Sequence, residues 1–254
     1  SSFSNTTGSC NVALGRNALY TTTTGGQNIA IGTAALYSNT TASCNTAVGS
    51  NALLANTTGA DNTVVGAAAM STNTTGQDNV AMGKSALLLN TEGASNTALG
   101  ISSLCNNTTG TCNTAVGHTA LNKNTTASCN TAVGSRSLYS TTSGEDNTAV
   151  GNYALCKNTT GECNVAVGVM ALQLNTTAEC NTAVGMHAMC KSTTACRNTA
   201  IGAFASFTAT TGHQNTAIGQ GALYSMTDGG NNTAIGRNAG SSVTQGNNNV
   251  LLGY

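Results

Sequence analysis

Ten cysteines are the residues of this 254-residue chain best suited to covalent chemistry. Three of them, Cys105, Cys156 and Cys190, are each followed six or seven residues later by another, Cys196, Cys112 or Cys163, in the pairs 105–112, 156–163 and 190–196. That spacing fits three short disulfides, each closing one turn. Cys10, Cys44, Cys129 and Cys180 then remain as free thiols or as partners for another chain. A rival scheme joins Cys112 to Cys129 and Cys163 to Cys180, both 17 residues apart. Cysteine usage of this kind points to an oxidising, extracellular setting. The spacings do not match zinc patterns, and His118, His187 and His213 share no common register, so no metal site is expected.

A second chemistry is carbohydrate attachment. Asn5, Asn39, Asn56, Asn73, Asn107, Asn124, Asn158 and Asn175 all read as Asn-x-Thr acceptors, with Asn106 and Asn231 as further ones. The plainer explanation is a polar turn, since Asn and Thr favour turn geometry.

Catalytic constellations are missing from the sequence. It contains no nucleophile elbow, Walker loop or zinc-protease helix motif, and its 8 acidic residues form no recurrent pair. Neither enzyme activity nor a cofactor is expected. Charged residues make up 6% of the chain and sum to +0, with no Lys/Arg stripe, which argues against nucleic acid as a partner. No apolar run approaches the roughly 20 residues of a membrane-spanning helix.

What positions these residues is a repeat. An Asn recurs at every seventeenth residue from Asn11 to Asn249, fifteen times without insertion or deletion. Counting that Asn as position 0, position +4 is Gly in all fifteen copies, +2 is almost always Ala, and +3 is always aliphatic or Met. Position +7 is mostly Ala, +8 mostly Leu, and +12 always Thr. Asn45, Gly49, Asn62, Gly66, Asn113 and Gly117 exemplify the two most constant rows. One invariant path length per copy indicates stacked coils in register, because loosely packed repeats tolerate insertions. Thr, Asn and Gly disfavour helix interiors, and 17 residues cannot hold two helices and their loops.

The expected fold is therefore all-β: a β-solenoid, a parallel β-helix or β-roll, of about fifteen 17-residue coils forming one array over residues 1–254. A first strand is expected through Asn-Thr-Ala-Val, ending at the Gly. A second is expected within +7 to +11. Coils about 4.8 Å apart stack identical residues into ladders, with Asn amides hydrogen-bonding along the axis. About three side chains per coil are expected to be buried, two of them Ala. If Asn and Ala at 0 and +2 point inward, the +3 row becomes an exposed aliphatic stripe that calls for a partner chain. Self-association is thus expected, side by side or head to tail. A copy following Tyr254 would fall one residue short of register. Ser1 as the first residue fits a processed chain or a piece of a longer one.

The motif Asn45-Thr46-Ala47-Val48-Gly49, repeated at Asn113-Thr114-Ala115-Val116-Gly117 and throughout, resembles the repeats of phage and viral tail-fibre-type proteins. It is also similar to the head repeats of YadA-like trimeric adhesins. The resemblance implies a fibrous element on a virion or cell surface, acting as a spacer or binding a cell-surface or glycan receptor. A different class is an ice-binding, antifreeze-type solenoid, for which regular Thr rows are the feature. Against it, the Thr pairs at +12 and +13 fall at an expected turn, and a flat Thr-x-Thr strand face is missing.

Overall fold

The structure, a computed structural model, describes residues 4–253. It is all-β, a parallel β-solenoid with one three-residue strand per coil. The strands occupy positions +1 to +3, from β1 (Val12–Leu14) through β7 (Thr114–Val116) and β8 (Thr131–Val133) to β15 (Val250–Leu252). The chain divides into two compact units, residues 1–129 with β1–β7 and residues 130–254 with β8–β15. The 17-residue spacing passes through that boundary unchanged in the sequence.

Within each unit every strand pairs in parallel with the next, one repeat on. Ala47 sits beside Val64 in the first unit, and Ala166 beside Ala183 in the second. Hydrogen bonding between coils is not confined to the strands. Leu36 N–H donates to Ala52 O (3.1 Å), Ser38 N–H to Leu54 O (3.0 Å) and Cys44 N–H to Gly26 O (3.1 Å). Backbone groups all round the coil thus find partners in the coils above and below, as buried backbone must.

The expected second strand does not form. Positions +6 and +8 both take the left-handed conformation, as at Ala34 (φ 55°) and Leu36 (φ 50°), and this breaks the extended path into a tight turn. Position −1 is left-handed as well, for example Cys44 (φ 61°). Such a φ is uncommon for residues with a Cβ. Here the turns aim +7 and +8 inward together, so that Ala and Leu are both fully buried. The +4 glycine is needed for two reasons. At Gly168 φ is +134°, and an added Cβ would lie 2.5 Å from Gly185 O in the next coil.

The core is larger than the three side chains per coil anticipated, and both extra side chains are polar. In a coil such as that of Asn45, the inward positions are Asn45, Ala47, Ala52, Leu53, Asn56 and Gly59. Both asparagines are fully buried.

Candidate functional site

The position-0 asparagines form a ladder through each unit. Asn45 Oδ1 accepts from both the backbone N–H (3.0 Å) and the side-chain amide (3.1 Å) of Asn62 in the next coil. Asn62 Nδ2 also spans its own coil to Gly76 O at 3.0 Å. The +11 asparagines form a second ladder: Asn73 Nδ2 donates to Asn56 Oδ1 (2.8 Å) and to the same Gly76 O (2.9 Å). One carbonyl at +14 therefore receives both ladders and ties opposite sides of the coil together. The ladder residues Asn45, Asn62 and Asn113 are internal scaffolding, and Gly49, Gly66 and Gly117, at the strand ends, are half-buried.

This geometry corrects the carbohydrate expectation. Asn39, Asn56, Asn73, Asn107, Asn124, Asn158 and Asn175 are fully buried. The nitrogen that a sugar would occupy is inside the coil, as at Asn56, where Nδ2 donates to Asn39 Oδ1 and Gly59 O. Sequence alone could not separate an acceptor from a ladder asparagine, since both favour the same turn. Asn5 and Asn231 remain exposed, and Asn106 is half-buried.

The three expected short disulfides are also corrected. All ten cysteines are thiols, and the +9 and −1 rows face different flanks. Cys156 has Lys157 and Arg136 as charged neighbours, whereas Cys163 has Cys180, Asp146, Glu162 and Glu179. The pair 105–112 spans the same two rows as 156–163, and Cys190 lies on the +9 row, whereas Cys196 sits at +15 beside His213. Burial raises the thiols of Cys105, Cys156 and Cys190 above the ordinary range. Cys163 is raised too, by local desolvation first and then by its negative neighbours. Of the four residues expected to lack a partner, Cys129 and Cys180 stand one coil from Cys112 and Cys163. The coil spacing of about 4.8 Å falls in the Cα range of a disulfide. Cys10 and Cys44 have no cysteine in an adjacent coil of their row, and Cys44 Sγ donates to Gln27 Oε1 at 3.2 Å.

Two surface features escaped the sequence reading. On the +6/+9 flank of the second unit, His187 stacks on Phe204 (5.1 Å between centroids) and Phe207 on Tyr224 (5.2 Å), with Lys191 over Phe207 (5.0 Å). On the opposite flank, Glu179, Cys196, Arg197, His213 and Gln214 line an open depression of about 370 Å³. There Cys196 N–H donates to His213 Nδ1 at 3.0 Å. Among the described residues, no group of three His, Cys, Asp or Glu side chains is placed to hold a metal ion. No described helix is long and apolar enough to cross a membrane.

The most regular outward surface is the sheet itself. Ala at +2 points inward, so +1 and +3 point out on every coil. The +3 row is aliphatic and partly exposed throughout each unit: Val65 (37%) and Met82 (43%) in the first, Ile201 (40%) and Ile235 (44%) in the second. The +1 row beside it is mostly Thr. This face carries no thiol and no titratable group. What it offers is a repeated apolar surface edged with hydroxyls.

No protein-family model and no curated protein matches this chain.

Proposed function

We propose that this chain is a structural subunit of an extracellular fibre or filament, displayed on a cell or virion surface, that associates with copies of itself. The observation that carries the reading is the aliphatic +3 row left outside on coil after coil. An isolated exposed Val needs no explanation, but a contiguous apolar patch marks an interaction surface. The burden of folding is met inside, by Asn ladders and Ala/Leu stacking, so the outer row is not consumed by the core. A spacer or receptor-binding role accords with the tail-fibre resemblance of the Asn-Thr-Ala-Val-Gly motif.

Light scattering after gel filtration, with electron microscopy of the same fractions, tests this. Assemblies larger than one chain are expected, and Val167→Lys with Ile201→Lys should dissolve them while leaving the β-sheet circular dichroism intact. A wild-type chain that stays monomeric at every concentration would sink the proposal.

A second reading has one observation in its favour. The strand face presents Thr at +1 and aliphatic methyls at +3, two ranks repeating every coil, which is the flat, regular surface that ice binding calls for. The +12 threonines do not serve that purpose, because their hydroxyls are engaged between coils, as in Thr57 Oγ1 to Thr74 O (3.0 Å). Thermal hysteresis measured on concentrated protein decides it. A freezing point equal to the melting point removes the ice-binding reading.

A further inference from the structure

In a solenoid, position within the repeat is position around the perimeter, so residues scattered along the sequence are sorted onto faces. Sorting the charges this way separates them by sign. In the first unit the acids Asp61, Asp78 and Glu92 lie at −1 or +13. In the second, Glu145, Asp146, Glu162, Glu179 and Asp228 lie at −1, +13 or +15. The bases occupy the other flank, at +5, +6 or +10: Arg16, Lys84 and Lys123 in the first unit, and Arg136, Lys157, Lys191 and Arg237 in the second. Arg197, at −1, is the exception. All sixteen side chains are exposed. The acidic flank leads into the strand and the basic flank leads out of it, so the aliphatic face lies between the two.

Three coils, one in the first unit and two in the second, carry both signs at one height. The coil of Asn79 carries Asp78 and Lys84, that of Asn147 carries Asp146 and Lys157, and that of Asn181 carries Glu179 and Lys191. Two parallel copies in axial register therefore place acid beside base at the same level when the −1/+15 flank of one meets the +5/+10 flank of the other. This is a heterologous contact, in which each copy offers two different surfaces. It also turns adjacent aliphatic faces toward the same side. Complementary charge of this kind fixes partner and register more than it supplies affinity.

We propose that the occupant of the surface beside the strand face is a second copy of this chain, parallel and in register, docked acidic flank to basic flank. The proposal rests on the self-association reading above and adds to it which surfaces meet. Charge reversal tests it. Lys157→Glu with Lys191→Glu takes the second unit's basic flank from +4 to zero, and Glu162→Lys with Glu179→Lys takes its acidic flank, Arg197 included, from −4 to zero. In sedimentation velocity each variant alone should need at least about tenfold more protein to assemble than wild type, and an equimolar mixture should recover assembly. Variants that assemble like wild type, or a mixture no better than its parts, overturn the flank assignment while leaving the fibre reading intact. A wild type that never assembles overturns both. Should a variant fail to fold by circular dichroism, salt decides on the wild-type chain. Between about 10 mM and about 1 M salt the screening length falls from about 30 Å to about 3 Å. Assembly weakening over that range supports the proposal, and assembly indifferent to salt overturns it.

Discussion

At the scale of single residues, the interior is a set of ladders whose weak points are the rungs that break the pattern. At +11 of the coil after Asn175 stands Ser192, too short to reach back. The structure leaves both Asn175 Oδ1 and Ser192 Oγ buried without a partner. Ser192→Asn restores the rung, donating to Asn175 Oδ1 and Ala195 O as neighbouring coils do. Because Ala209 offers the new Oδ1 no donor, one buried orphan is removed on balance, and we expect a gain of about 1 kcal/mol, read as a raised unfolding midpoint in urea. A second misfit is Thr119, a β-branched residue held at φ 53° with a buried hydroxyl lacking a partner. The same position is Asn in the coils of Asn17 and Asn51, where φ is 59° and 57°. Asn tolerates that region, so Thr119→Asn should gain about 1 kcal/mol in the same measurement.

At the scale of the coil, the invariant glycine and the two thiol rows make opposite predictions about tolerance. Gly168→Ala combines a forbidden φ with a Cβ driven into the backbone of the next coil. Relief requires prising two coils apart, which costs hydrogen bonds round the whole perimeter. A loss of about 3 kcal/mol or more is expected, seen as a sharply lower midpoint or failure to accumulate folded protein. The thiols should sort by row. Cys156 and Cys190 are buried and raised, whereas Cys10 and Cys44 are exposed on the −1 flank. Because the thiolate is the reactive form, iodoacetamide at neutral pH should label Cys10 and Cys44 well before Cys156 and Cys190. Mass spectrometry of a time course checks this, and equal rates would contradict the placement of the two rows.

At the scale of the whole molecule, the proposed self-association would add copies laterally to each unit. Net charge of zero gives no general repulsion between copies. The flanks carry opposite signs, and the face between them is aliphatic. Folding of one chain and the proposed association of several would draw on different surfaces. Val167→Lys with Ile201→Lys should therefore abolish assembly at little cost to stability, since neither side chain belongs to the core. A large drop in the unfolding midpoint would mean that the stripe supports the fold itself.

The repeat length, the parallel stacking and the strand ending at each glycine were all legible in the sequence. Invariant spacing permits no other registration of fifteen equivalent coils, and a +4 row of glycine marks a close approach. What the sequence could not determine was direction. Whether Asn56 faces water or the core depends on the left-handed residues at −1, +6 and +8, most of which have no local signal for that conformation. Leu53 and Cys44 adopt it because bonds to the coils above and below hold them there. That decision turned seven candidate sugar acceptors into an internal ladder and separated the cysteine rows. Within each unit it also gathered the charges strewn along the chain, Arg197 excepted, onto two flanks of opposite sign. The period belongs to the sequence. The perimeter around which it is wound exists only once the coils have closed and stacked.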